Sequence, residues 1–172
     1  MKNKIFMSLL LGAMLLTACD DEAPMERSLY PETVYLVGAK DKIITRELNL
    51  GYDQDTVYAS VAVSGTLPTE KNVIAEVEQI PEAILRYNDR ELGTNDVLYQ
   101  NLPADIYSIP DPAVTVPAGE PYGTLPIYIE PATLHVDSLY MIALKLKSTS
   151  DFALTKTDTV VLMKFNIVND YS

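Results

Sequence analysis

An all-β fold, two antiparallel sheets packed face to face as a single sandwich with one short helix, is what this 172-residue sequence predicts. Three observations predict it. Short runs of period-two alternation follow one another, Pro, Gly, Asn and Asp stand between them as turn formers, and only one stretch carries helical periodicity. The pattern is densest from Leu98 to Glu130. There Val114-Thr115-Val116 is closed by Pro117-Ala118-Gly119 and answered by Leu125-Pro126-Ile127-Tyr128-Ile129, a strand, a turn and a second strand. A closed barrel would satisfy the same alternation.

The chain opens on Lys2 and Lys4, then the apolar run from Ile5 to Leu16, then Thr17-Ala18-Cys19. That run is 12 residues, short of the roughly 20 that span a hydrocarbon core, and its basic start and small-residue exit are those of an export signal. Residues 1–18 are therefore predicted to be a signal peptide. Leu16-Thr17-Ala18-Cys19 resembles the lipobox of bacterial lipoproteins, which implies a lipid on Cys19 and membrane attachment through that anchor. Cys19 is the only cysteine. Lipidation would consume its thiol, and no disulfide can form within the chain.

Thirteen basic residues stand against 24 acidic, a net charge of −11, and removal of Lys2 and Lys4 makes the mature chain more acidic still. A nucleic-acid partner is not expected. Asp20-Asp21-Glu22 follows the lipidated position and resembles the surface-export signal of Bacteroidetes lipoproteins, which implies outer-membrane, surface-exposed display; a periplasm-facing anchor is the alternative. Residues 19–31, acidic and aperiodic, read as a flexible tether, and residues 32–172 as one domain.

Nine strands are expected in that domain: Thr33 to Val37, Ile43 to Leu50, Thr56 to Ser64, Val73 to Gln79, Ile106 to Ile109, Val114 to Val116, Leu125 to Glu130, Tyr140 to Lys147 and Thr159 to Val168. Alternation assigns their faces. In the third, Val57, Ala59, Val61 and Val63 fall on one side; in the eighth, Tyr140, Ile142, Leu144 and Leu146 oppose Lys145 and Lys147. Between Pro81 and Glu91, a proline at a permitted first helical position, an early acid and an apolar set of Ile84, Leu85 and Tyr87 predict the short helix, expected to cross from one sheet to the other. The architecture expected is thus an antiparallel β-sandwich of immunoglobulin-like character.

Concentrated chemistry is absent from the pattern. His135 is the only histidine, so a metal cluster or a Ser-His-Asp triad would have to be built around it, and a surface loop is the simpler reading. No metal site and no cofactor are expected. The carboxylate pairs Asp53 with Asp55 and Asp89 with Glu91 match what glycosidases need in kind, but in so acidic a chain such pairs arise by chance, and no catalytic residue is assigned. Gly51 to Asp55 lacks the further ligands of a calcium loop and reads as a turn. Eleven tyrosines with no tryptophan make tyrosine the available sugar platform. Tyr52, Tyr99 and Tyr122, placed in loops or at strand ends, are the candidate ligand-binding residues; Tyr35, Tyr58, Tyr107, Tyr128 and Tyr140 fall within strands.

Val34-Tyr35-Leu36, the run from Val77 to Pro81 leading into Tyr87-Asn88, Leu102-Pro103, Tyr107-Ser108-Ile109 and Val114 through Gly119 resemble the immunoglobulin-like domain of unknown function near the N-terminus of Bacteroidetes surface lipoproteins. Members often precede a carbohydrate-binding or glycoside hydrolase domain in polysaccharide-utilisation systems. The resemblance implies a non-catalytic surface accessory or glycan-binding protein whose partners are polysaccharide or other surface lipoproteins. The alternative is a structural or adhesive subunit of a fimbrial-type fibre, in which cleavage after Arg46 would remove the first strand and open a sheet edge; Arg27 lies on that strand's other side.

Overall fold

The computed structural model describes residues 30–39 and 43–169. The expected signal peptide, Cys19, Arg27 and most of the tether lie outside them. Among the described residues the elements run β1 (Thr33–Leu36), β2 (Ile43–Asn49), β3 (Asp55–Val63), β4 (Val73–Gln79), α1 (Glu82–Glu91), β5 (Tyr99–Asn101), β6 (Tyr107–Ser108), β7 (Ala113–Val116), β8 (Tyr122–Ile129), β9 (Leu139–Thr149), β10 (Ala153–Leu154) and β11 (Val160–Val168). One 3-10 turn, Pro131–Thr133, separates β8 from β9. Two sheets result, one of five strands ordered β10-β1-β3-β8-β6 and one of six strands whose path is β2-β11-β9-β4-β7, with β5 paired to β9.

Alternation builds the core between them. Val57, Ala59 and Val61 of β3, with Leu125, Ile127 and Ile129 of β8, face Val73, Ala75 and Val77 of β4 and Tyr140, Ile142, Leu144 and Leu146 of β9. Each valine, leucine or isoleucine side chain so removed from water contributes about 1.5–3 kcal/mol. Val161, Met163 and Phe165 of β11 complete the layer.

The sheets are not purely antiparallel, which corrects the expectation. β1 with β10, β2 with β11 and β5 with β9 run parallel. Alternation fixes which face a residue presents and is silent on direction. For β1 with β10 and β2 with β11, the partners come from opposite ends of the described chain, so the whole fold serves as their connection and either direction is open to them. Two short strands, β5 and β10, were not expected, and β8 starts three residues early, at Tyr122.

The helix sits where expected but does not join the two sheets. It links β4 to β5, both in the six-stranded sheet, and lies on that sheet's outer face. Ile80, Ala83 and Ile84 pack there on Met141 and Ala143 of β9 and Leu162 of β11. This explains why β9 is buried on both faces over that stretch, with no alternation to see from Tyr140 to Leu144. Leu85, expected on the apolar side, is 59% exposed. At 100° per residue it stands well off the arc shared by Ala83, Ile84, Tyr87 and Asn88. Asn88 is buried, and its amide takes the place of a neighbouring strand: Nδ2 donates to the Tyr99 carbonyl at 2.8 Å and Oδ1 accepts from the Tyr99 amide at 3.1 Å.

Candidate functional site

The outer face of the five-stranded sheet follows from the same parity. Because the odd positions of β3 and β8 point into the core, Thr56, Tyr58 and Ser60, and across from them Tyr122, Thr124, Pro126 and Tyr128, point outward. In β1, Tyr35 stands between the buried Val34 and Leu36 and joins them. The register aligns Tyr35, Ala62 and Tyr122 in one row, Tyr58 with Pro126 in another, and Thr56, Tyr128 and Ser108 in a third. Four tyrosines therefore share one face. Tyr58 is 50% and Tyr122 53% exposed, while Tyr35 and Tyr128 are half-buried. With strands about 4.8 Å apart and about 3.3 Å per residue, this face extends roughly 10 Å across and 20 Å along the strands from Tyr122 to Tyr128.

A hollow of about 90 Å³ closes one end of that face. Gln54, Asp105, Ser108 and Glu130 supply its polar groups, and Tyr107 and Tyr128 its rings. The Tyr107 hydroxyl donates to Gln79 Oε1, and burial raises its pKa, so the phenol stays protonated. A larger hollow of about 220 Å³ lies on the opposite sheet, between α1 and the start of β11, and is bordered by Arg86 and Arg90.

The three tyrosines singled out in the sequence do not meet. Tyr52, 55% exposed, belongs to the β2–β3 turn, where its amide donates to the Asn49 carbonyl at 3.2 Å. Tyr122 pairs with Ala62, at the far end of β3 from Tyr52. Tyr99 is on the other sheet in β5, half-buried, its ring 5.7 Å from Tyr87 at 69° and 5.7 Å from the Lys164 ammonium. What sequence reasoning missed is the company of Tyr122. Tyr35, Tyr58 and Tyr128 each sit between two inward-facing aliphatics, a period-two signal that marks them as outward.

His135 is exposed, its Nδ1 accepting from the Asp137 amide at 3.3 Å and lying 3.9 Å from that residue's carboxylate. Asp55 accepts from the Thr56 amide at 2.7 Å, and Asp89 and Glu91, two apart on α1, do not face each other. Among the described residues no three His, Cys, Asp or Glu side chains gather as a metal site, and no helix is long and apolar enough to cross a membrane. Arg46 lies within β2, its guanidinium donating to the carbonyls of Thr45 at 3.0 Å and Tyr58 at 3.3 Å.

Fold and face together define a two-sheet, helix-capped β-sandwich with an aromatic outer surface. A family model described as a "-like, N-terminal domain" matches residues 30–153, and the chain belongs to that family. Three solved structures show the same fold. A Bacteroides ovatus protein of unknown function superposes at a TM-score of 0.69 with 18% identity over 81% of this chain and 48% of its own. A second Bacteroides ovatus protein, proposed to bind carbohydrate, gives 0.62 and 16% over 78% and 36%. An auxiliary nutrient binding protein from Bacteroides thetaiotaomicron gives 0.59 and 16% over 78% and 46%. The chain spans less than half the length of each. No curated protein matches it. The resemblance to an N-terminal sandwich domain of Bacteroidetes proteins is thereby borne out.

Proposed function

We propose that this chain is a non-catalytic, lipid-anchored accessory protein that holds glycan on the outer face of its five-stranded sheet. The observation that carries the reading is the shared face of Tyr35, Tyr58, Tyr122 and Tyr128, ending in a hollow of carboxylates, an amide and a hydroxyl. Tyrosine rings offer an apolar plane to sugar C–H groups, and their hydroxyls together with Asp105, Glu130 and Gln54 can accept from or donate to sugar hydroxyls. An open face that runs along three neighbouring strands suits an extended polymer better than a small molecule. The printed descriptions of two structural neighbours, carbohydrate and nutrient binding, support the same reading.

Lipid on Cys19 would hold the domain at the outer membrane, facing the medium, beside polysaccharide and other surface lipoproteins of a utilisation system. The non-catalytic reading is supported by the carboxylates themselves. A glycosidase needs two carboxyl groups facing each other across the scissile bond, whereas Asp89 and Glu91 stand two apart on α1 and do not face each other.

Retention of the soluble chain from Glu22 onward on a panel of immobilised polysaccharides tests the proposal. At least one polysaccharide should retain it, and Tyr58→Ala or Tyr122→Ala should weaken that retention about five-fold, on the order of 1 kcal/mol per lost stacking contact. Passage through the whole panel without retention would refute glycan binding. Release of reducing ends from any member would refute the non-catalytic reading.

A further inference from the structure

The hollow under α1 differs from the tyrosine face in both charge and shape. Ala83, Val160 and Leu162 give it an apolar lining, to which Tyr87 and Thr157 add a ring and a hydroxyl-bearing residue. Arg86 and Arg90 stand over it, one turn apart on α1, and with Ala83 and Tyr87 they occupy a single arc of the helix. In a chain of net charge −11, this hollow is thus bordered by two guanidinium groups.

Their described partners leave these groups in reach of a ligand. Arg86 Nη1 is 3.9 Å from Glu82 Oε1, beyond hydrogen-bonding distance, with both side chains more than half exposed. Arg90 bonds Glu91 Oε1 at 2.5 Å through Nε, and its side chain is 56% exposed. Exposed pairs of this kind contribute little to folding. A ligand that offers a better-placed oxyanion can exchange with them.

We infer that this hollow is a second saccharide site, selective for a sugar residue that carries an oxyanion, a hexuronate carboxylate or a sulfate ester. The oxyanion sits on the Arg86 and Arg90 guanidinium forks, whose planar donors match two oxygens of such a group. The ring lies against Tyr87 and the aliphatic lining, with Thr157 within the hollow to meet a ring hydroxyl. A volume of about 220 Å³ is below the roughly 300 Å³ where drug-sized pockets begin, which fits one sugar residue. The inference shares with the proposed function the idea that the ligand is glycan, but it uses the other sheet and other residues.

Affinity electrophoresis of the chain from Glu22 onward separates the two. The gels contain polygalacturonate, its carboxyl-reduced neutral form, a sulfated galactan, a neutral galactan or poly-L-glutamate. Polygalacturonate, the sulfated galactan or both should retard the protein, and which of them does so distinguishes carboxylate from sulfate. Arg86→Gln with Arg90→Gln should weaken that retardation at least ten-fold, the Arg→Lys pair should recover part of it, and Tyr58→Ala with Tyr122→Ala should leave it unchanged. Raising NaCl from 50 to 500 mM should reduce it as well. Both arginines are exposed, so an unchanged circular dichroism spectrum and melting temperature will show that the Gln variant is folded. Equal retardation by the carboxyl-reduced polymer, an unaffected Gln variant, or equal retardation by poly-L-glutamate would overturn the inference. Retention on neutral glycans alone, lost in the tyrosine variants, would overturn it while leaving the tyrosine face standing.

Discussion

Gly123 offers a test of the packing of β8 against β7, one strand from each sheet. It lies in β8, buried, opposite Val61 of β3, and a Cβ built on it would stand 2.1 Å from the Thr115 carbonyl oxygen and 2.9 Å from Val114 Cγ1. The first of these is backbone of β7, which is itself fixed by pairing of Val114 and Thr115 with Ala75 and Ile74 of β4. Relief therefore needs a strand to move. Overpacking of a core costs about 1–3 kcal/mol, and a backbone obstacle places Gly123→Ala at the upper end, about 3 kcal/mol. At about 2–4 °C per kcal/mol for a chain of this size, the melting temperature should fall by about 6–12 °C. Intrinsic propensity predicts the opposite sign, since glycine inside a strand is about 0.5–1 kcal/mol worse than alanine. Gly119→Ala is the control, because its φ of +83° penalises a side chain while no atom lies within 4 Å of the new Cβ; its cost should be about 1–2 kcal/mol from backbone conformation alone. Urea unfolding followed by circular dichroism, with the midpoint lowered at constant m, is the assay. If Gly123→Ala is as stable as the parent, or loses less than Gly119→Ala, the close approach of β7 and β8 is not as described.

Asn88→Ala should cost about 1–3 kcal/mol, since it strips both partners from the Tyr99 amide and carbonyl; an unchanged melting temperature, or unchanged hydrogen exchange at Tyr99, would remove the amide from its role. The Ser148 hydroxyl and then Lys147 lower the pKa of Glu76, and Lys71 does the same for Asp151. Because both folded values lie below the unfolded ones, their contribution is present above the ordinary carboxylate range and is lost as pH falls through the folded values. Stability should accordingly hold from pH 7 to about 5 and decline below about 4, with the decline flattened in Glu76→Gln/Asp151→Asn and in high salt; identical pH profiles for variant and parent would contradict this. Cys19→Ser should free the protein from membranes or leave its precursor uncleaved, and a variant that still fractionates with membranes at normal processed size would exclude the lipid anchor.

The sequence by itself determined the strands whose two faces meet different surroundings. β3 and β4 alternate between core and solvent, and the side-chain period of two writes that contrast directly into Val57-Tyr58-Ala59 and Val73-Ile74-Ala75. It also determined α1, through a proline followed by an acid and an apolar arc. Tertiary structure decided what local pattern does not encode. Strand direction depends on which distant segments meet, so the parallel pairing of β2 with β11 had no local signature. The two-residue strand β10 carries too few side chains to show a period, and β5 is held to α1 by Asn88, eleven residues away, rather than by its own sequence. The candidate face was half legible: the outward parity of Tyr58 and Tyr128 is readable from their neighbours, but their assembly with Tyr35 and Tyr122 depends on the order β1-β3-β8. The hollow under α1 was not legible, because Arg86 and Arg90 meet Val160 and Leu162 only when the helix folds back onto the sheet it came from.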